Sequence, residues 1–333
     1  MDNTDITRKD ADRWDVIVIG GGSAGLSAAL MLGRARRRVL VLDAGEPRNR
    51  FAAHMHGMLG RDGTSPLALL ADGRREIESY GGVVRSASVV TTRRTDDGFA
   101  VDTADGNTEH SRKLLVATGA RDELPDLPGL AEFWGRGVAV CPYCDGFEVR
   151  DRPIGILATS PASVAQAQLL RQWSASIVYL PNGVGSPTDD EAAALAARGI
   201  RIEDGVVDHV IGRDGQLAGV AMADGRVVEL DAIFTGPRLV PRDEPLRQLG
   251  AARTEQQYGS LAATEPAGQT SVPGVWAAGN VATAFANVPF AIGMGALTGG
   301  NINHELILED IEHALSARHH DRDYAVAAAE PAP

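Results

Sequence analysis

Cys141-Pro142-Tyr143-Cys144 puts the chain's two cysteines three positions apart, and Asp145 follows directly. Two intervening residues are enough for a disulfide to close, and a thiolate there exchanges with other thiols and disulfides. The adjacent carboxyl is placed to carry the proton that such exchange releases or consumes. In a reducing compartment the spacing reads as redox chemistry rather than as a structural staple. A helix beginning at Cys144 would favour its thiolate through the dipole. Two other readings stand beside this one, a zinc half-site and an inert buried pair. Zinc needs two more nitrogen or sulfur ligands, and His54, His56, His110 and His209 show no ligand spacing to the pair.

The second chemical signal is Gly20-Gly21-Gly22-Ser23-Ala24-Gly25, which satisfies G-x-G-x-x-G and is answered by Asp43, 23 residues beyond Gly20. It follows an apolar run and opens an amphipathic stretch, which is the context a dinucleotide-binding turn requires. Glycine is needed because a Cβ would oppose the backbone angles of the turn, and because a pyrophosphate must approach the unpaired amides of a helix N-terminus. Asp43 accepts from ribose hydroxyls and repels a 2′-phosphate, so the adenosine of FAD or NAD is favoured over that of NADP. The plainer alternative is a glycine-rich structural turn.

The elements that must position these groups follow from periodicity. Residues 15–19 run apolar, an amphipathic stretch reaches residue 36, and 39–42 run apolar again, which is strand, turn, helix and strand in one βαβ unit. A three-stranded meander is expected over 87–92, 99–103 and 113–117. The plan then repeats, with strands at 154–158 and 176–180, helices at 163–173 and 189–198, and a meander closing at Ile233-Phe234. After it, residues 275–280 read as a buried strand ending in a turn. A long apolar helix from 289 to 315 carries Glu305, Glu309, Asp310 and Glu312 on its last half. The expected fold is α/β with two Rossmann-like domains of the three-layer ββα, FAD/NAD(P)-binding type, the second inserted into the first. The first domain spans 14–120 and 243–315, the inserted one 121–242, and 1–13 and 316–333 are expected to be disordered tails.

Composition agrees with this outline. At roughly 100–200 residues per domain, 333 residues imply two domains, and 44% hydrophobic with 23% charged is ordinary for a globular chain. A formal charge of −12 repels nucleic acid and anionic membrane surfaces, so neither is expected as a partner. No run of 18 apolar residues occurs, and residues 1–5 have neither a basic nor an apolar leader character, so a cytoplasmic enzyme is expected.

The fingerprint, the repeated plan, the Cys-Pro-Tyr-Cys-Asp-Gly segment, Ala117-Thr118-Gly119-Ala120 and Ala277-Ala278-Gly279-Asn280 together resemble the low-molecular-weight thioredoxin reductase family of flavoproteins, over about residues 14–315. In that family the first domain holds FAD, the inserted domain holds NADPH and the cysteine pair, and the enzyme is a homodimer. The resemblance implies that Gly20, Gly22, Ser23, Ala24 and Gly25 take the FAD pyrophosphate and Asp43 the adenosine ribose. Ala117, Thr118, Gly119, Gly279, Asn280, Asn287 and Val288 would line the rest of the cofactor. Asn280 stands where the family has aspartate. It can hydrogen-bond the ribityl chain but brings no charge. Cys144 would face the flavin, Cys141 would exchange with substrate, and Asp145 would be the acid/base.

One departure decides the expected direction of electron flow. The inserted domain of the family repeats the glycine turn for NADPH, but here the region reads Ala158-Thr159-Ser160-Pro161-Ala162-Ser163. Side chains occupy the space a pyrophosphate needs, and a left-handed non-glycine residue costs about 1–2 kcal/mol. After the next strand comes Tyr179-Leu180-Pro181-Asn182, with no arginine for a 2′-phosphate and no ribose-binding acid. The pattern resembles the dithiol oxidases of the same superfamily, of the gliotoxin and holomycin type. Electrons would run from a small-molecule dithiol through the cysteine pair to FAD and then to O2, giving H2O2. The alternatives are an NADPH-dependent reductase acting on a thioredoxin-like protein, a flavoprotein redox sensor without turnover, and a relative whose FAD is fed by ferredoxin or another flavoprotein.

Three further groups attract attention. His54 and His56 lie on a loop that in the family passes near the flavin, where a histidine would assist proton transfer or simply serve the loop. Phe133, Trp134 and Phe147 flank the cysteine pair as a substrate wall or as core. Asn287 is a candidate N-cap, and Gly293, Gly295, Gly299 and Gly300 read as close packing beneath the cofactor.

Overall fold

Residues 16–19 of β1 (Trp14–Ile19) and 39–42 of β2 (Val39–Asp43) are buried on both faces, which is why each reads as an unbroken apolar run rather than an alternation. The computed structural model describes residues 13–256 and 259–329, with side chains as far as 318. Helix α1 (Ser23–Arg34) joins β1 to β2, and α2 (Pro66–Ser79) leads to β3 (Val83–Ser86). β4 (Val89–Thr95), β5 (Gly98–Thr103) and β6 (Thr108–Val116) form the expected meander.

The sheet order is β3-β2-β1-β6-β5-β4, with β19 (Val275–Ala277) also on β6. β6 belongs to two layers at once. Its outer half pairs antiparallel with β5, while its inner half pairs parallel with β1 and β19. Its burial changes accordingly, from alternating over the first residues to continuous over the last four.

The second parallel sheet has the order β11-β10-β9-β15-β8. It is built from β8 (Val138–Ala139), β9 (Ile154–Leu157), β10 (Ile177–Leu180), β11 (Arg201–Ile202) and β15 (Ala232–Thr235). Between them run α3 (Pro142–Asp145), α4 (Ser163–Leu170), α5 (Asp189–Ala197) and the antiparallel ribbon β12 (Val207–Arg213), β13 (Gln216–Met222) and β14 (Val227–Glu229). Thr188 and Glu191 close a full capping box on α5. Two extended stretches connect the two parallel sheets, β7 (Ala120–Glu123) and β16 (Arg238–Pro241), and they pair antiparallel. Arg48 fastens this ribbon by gripping Asp122 with two hydrogen bonds of 2.8 and 2.5 Å.

After α6 (Glu244–Gln248) and the hairpin β17 (Arg253–Gln256) and β18 (Gly259–Ala262), the chain returns to the first sheet and ends in α7 (Val288–Ala329). Here the structure departs from the expected tail. The helix does not stop at 315 but continues to Ala329, because residues 316–328 contain alanines and charged residues and no glycine or proline to break it. The tail expected over 1–13 lies outside the described residues apart from Arg13. α7 packs on α1 at glycine distance. A Cβ on Gly295 would stand 2.1 Å from Ala24 O, and one on Gly299 would stand 2.7 Å from Ala28 O, whereas Gly293 and Gly300 face open space. The acidic face of α7 is engaged: Arg112 meets Glu309 (3.0 Å) and Asp310 (2.8 Å), and Lys113 also grips Glu309.

Candidate active site

The turn between β1 and α1 needs its glycines for three separate reasons. Gly20 sits at φ +108°, and a Cβ there would lie 2.4 Å from Ala117 O. Gly25 carries the first turn of α1 directly over Gly20, whose carbonyl oxygen a Cβ would meet at 2.0 Å. Gly22 is different, because a Cβ there would meet nothing within 4 Å and would project into open space. No side chain caps α1. Among the described residues the amides of Ser23, Ala24 and Gly25 have no internal acceptor, and the first helical bond runs from Leu26 N to Gly22 O at 2.9 Å. Three unpaired amides at a helix N-terminus make an anion cradle.

Asp43 closes one side of this cradle. Its Oδ1 accepts from Gly21 N (3.2 Å) and Gly45 N (3.1 Å), and its Oδ2 from Arg74 at 2.6 Å. Arg74 comes from α2 and had no signal in the local sequence. Thr118 donates its hydroxyl to Arg242 O at 2.6 Å, and Arg242 N returns a bond to Gly119 O at 3.0 Å. Asn280 donates its amide to Thr283 O (3.1 Å) and Ala284 O (3.4 Å), so it shapes its own loop. Asn287 caps α7 as expected, with Oδ1 accepting from Phe290 N at 3.1 Å.

A single cleft of about 1880 Å³ runs from this cradle to the cysteine pair. It exceeds the roughly 300–1,000 Å³ of a drug-sized site and has room for a dinucleotide and a second molecule. Every residue expected at the site lines it except Gly25, which packs beneath the turn. His54, His56 and Trp134 line it as well. Phe133 and Phe147 do not: Phe133 is buried in the core of the β12–β13 ribbon, and Phe147 is exposed with Arg150 stacked 4.0 Å over its ring.

Cys141 and Cys144 are joined as a disulfide. The helix around them is a single turn, and Cys141 rather than Cys144 holds the N-cap position, accepting from Cys144 N (3.1 Å) and Asp145 N (3.2 Å). The expected dipole support for Cys144 is therefore small. Gln166 of α4 donates to Val140 O at 2.9 Å and ties the pair to the second sheet. Trp173 stands edge-on to Tyr143 at 5.5 Å, and a Cβ on Gly146 would lie 2.5 Å from Pro142 O and 3.1 Å from the Trp173 ring. Burial pushes the Asp145 carboxyl up to about 6, the negative charge of Glu148 adds to the rise, and His56 opposes it. Glu148, like Arg74, is a residue of the site that nothing in its local sequence pattern marks.

The second loop, between β9 and α4, is built differently. Ser163, Val164 and Ala165 donate their amides to Ser160 O (3.0 Å), Pro161 O (3.3 Å) and Ala162 O (3.2 Å), and Thr159 N donates to Ser163 Oγ at 3.2 Å. The donors that would meet an anion are thus paired within the loop. No residue from 158 to 163 has a positive φ, so the left-handed strain expected there is not present. The loop has been rebuilt in right-handed turns instead. Beyond β10 the chain reverses at Asn182, φ +49°, and folds 183–185 back. A Cβ on Gly185 would be 2.5 Å from the Ala158 Cβ, and Tyr179 donates its hydroxyl to Gly185 O at 2.5 Å. Asn182 Oδ1 accepts from Val207 N at 2.9 Å. The same cleft reaches this loop at residues 158–160, 162, 163, 182 and 184, but its residues do not fit a pyridine dinucleotide: the amides at the start of α4 are paired, Gly185 packs on Ala158, and Asn182 is committed to Val207.

Comparison with known proteins places this geometry in a lineage. The thioredoxin reductase tcpT of Claviceps purpurea is 31% identical over 306 residues, covering 89% of this chain and 95% of that protein. The thioredoxin reductase sirT of Leptosphaeria maculans is 32% identical over 316 residues, covering 90% and 96%. The crystal structure of HlmI superposes with a TM-score of 0.88 at 45% identity, covering 93% of this chain and 97% of that one. The model of the pyridine nucleotide-disulphide oxidoreductase family matches residues 14–295. The chain belongs to that family, as a thioredoxin reductase-like flavoprotein oxidoreductase acting on sulfur.

Proposed function

We propose that the protein is an FAD-dependent oxidase that closes a disulfide in a small-molecule dithiol and passes the electrons to O2. The observation that carries this reading is the contrast between its two nucleotide loops. One presents unpaired amides beside an open Gly22, and the other has paired the amides that begin its helix and packs Gly185 on Ala158. A flavin has an anion cradle at the first loop and a nicotinamide reductant has no equivalent one at the second, so electrons enter from the thiol side.

The first loop fits FAD. The Ser23 and Ala24 amides would meet the pyrophosphate, Asp43 the adenosine ribose, and the α7 N-terminus at Asn287 and Val288 the ring end, where the helix dipole favours negative charge. When bound, the flavin supplies a two-electron acceptor that O2 reoxidises. The chain's own groups do the thiol chemistry. A substrate thiolate attacks Cys141 Sγ, forming a mixed disulfide and releasing Cys144 as thiolate. The second substrate thiol gives its proton to the Asp145 carboxylate and attacks the substrate sulfur of the mixed disulfide, expelling Cys141. The substrate loses two electrons and two protons, one to solvent before its first attack and one to Asp145, and the enzyme disulfide is left reduced as two thiolates. A base near 6 is largely ionised at neutral pH yet still basic enough to take a thiol proton.

The competing reading, an NADPH-dependent reductase, draws support from the names of the fungal relatives. The holoenzyme mixed with dithiothreitol in air separates the two. Hydrogen peroxide formed in equal amount to oxidised dithiothreitol is the expected result. Absence of peroxide together with a flavin that stays oxidised would overturn the proposal.

A further inference from the structure

The long loop between β2 and α2 touches the redox segment through one side chain. His56 Nδ1 lies 3.3 Å from Asp62 Oδ2 on the loop itself, and His56 Nε2 lies 3.5 Å from Glu148 Oε1, three residues beyond Asp145. Asp62 also accepts from Gly57 N at 2.8 Å, which closes the loop around the ring. The imidazole is thus held from both sides at the cleft wall. The charged groups that face Asp145 are Glu148 and His56, and those that face His56 are Asp62 and Glu148. Asp145 and His56 both line the cleft, and the His56 side chain is 25% exposed against 43% for Glu148, so the pair that His56 and Glu148 make reaches solvent.

We propose that Glu148 is a positioning residue for thiol exchange: it fixes His56 beside Asp145, faces that carboxyl itself, and gives the proton taken from the substrate thiol a defined exit. This rests on the oxidase reading for its chemistry but not for its geometry. In the exchange step the second substrate thiol loses a proton to the Asp145 carboxylate as its sulfur forms the new S–S bond. Cys141 leaves with the bonding pair, and the proton passes through the imidazole to water. Each turnover needs Asp145 emptied again, and that is the step Glu148 serves. A half-exposed ion pair contributes little to stability, so a merely structural role predicts almost no effect of removing it.

The test uses the full-length holoenzyme as wild type, Glu148→Gln and Glu148→Asp. The anaerobic rate of flavin reduction by dithiothreitol is followed from acid to neutral pH. The wild-type rate is expected to rise through a limb near the Asp145 value of about 6. In Glu148→Gln the limb moves toward lower pH by a fraction of a unit, because burial and not Glu148 is the first cause of the rise. The plateau falls by roughly three- to tenfold as the base weakens and its exit is lost. Glu148→Asp restores most of both, and melting temperatures stay within a degree or two of one another. An unmoved limb and plateau in Glu148→Gln overturn the proposal. An infrared pH titration of the protonated-carboxyl band lost in Asp145→Asn reads the same coupling without turnover. If dithiothreitol fails to reduce even the wild-type flavin, the oxidase reading falls. The infrared midpoint then decides on Glu148 alone: a shift in Glu148→Gln upholds its coupling to Asp145, and no shift removes it.

Discussion

Replacing Asp145 with asparagine is predicted to make the protein more stable and nearly inactive at the same pH. The native carboxyl titrates at about 6 against an ordinary 3.8, chiefly because it is buried. A folded value raised above the unfolded one contributes stability that is fully present below 3.8 and is lost as pH rises through about 6. A rise of two units corresponds to about 3 kcal/mol. Partial exposure and screening reduce the usable figure to about 1–2 kcal/mol. Asp145→Asn keeps the shape and removes the charge. It should therefore unfold later than wild type at about pH 8 by that amount and match wild type at about pH 4. Parallel urea titrations of the two holoproteins at both pH values measure this. The same variant should lose on the order of 10²-fold or more in dithiol-driven flavin reduction, the usual contribution of a positioned base. A variant equal to or weaker than wild type at about pH 8 would show that the carboxyl is not held in a hostile environment, and the base assignment would fall with it.

Two further substitutions probe the nucleotide loops. Gly22→Ala adds a methyl that meets no protein atom, so the apoprotein should melt as wild type does while flavin affinity falls at least about tenfold. Gly25→Ala, whose Cβ would stand 2.0 Å from Gly20 O, should lower both flavin content and apoprotein stability. The ratio of flavin to protein absorbance after purification and a thermal melt of the apoprotein distinguish the two. In the second loop the double change Ala158→Gly, Ser160→Gly should gain no NADPH-driven flavin reduction. The α4 amides stay paired and Gly185 still packs on position 158. Bleaching of that variant's flavin by NADPH would contradict the account.

What could be read from the sequence was what depends on local sterics and short spacing. The glycine turn, Asp43, the cysteine pair and the β6 meander are local patterns whose chemistry fixes their residue types. The contacts that complete the site join distant segments. Arg74 reaches Asp43 from the next helix, and Glu148 meets His56 from 92 residues along the chain, and neither leaves a periodic trace. The second loop shows a different limit. Non-glycine residues at 158–163 correctly mark the loss of a glycine turn, yet the inferred strain is relieved by a new set of turns whose donors close on Ser160, Pro161 and Ala162. Phe133 adjoins the cysteine segment in sequence, but its side chain packs into the β12–β13 ribbon, because a fully buried ring outweighs proximity along the chain. The extension of α7 past 315 follows from helix propensity over a segment whose mixed composition looked unable to pack.

The direction of electron flow is decided by one anaerobic titration of the bound flavin, monitored by its visible absorbance, with a small dithiol in one cell and NADPH in the other. The account predicts that a stoichiometric amount of dithiol bleaches the flavin while NADPH at the same concentration leaves the spectrum unchanged. Bleaching by NADPH, with the dithiol inert, would contradict it.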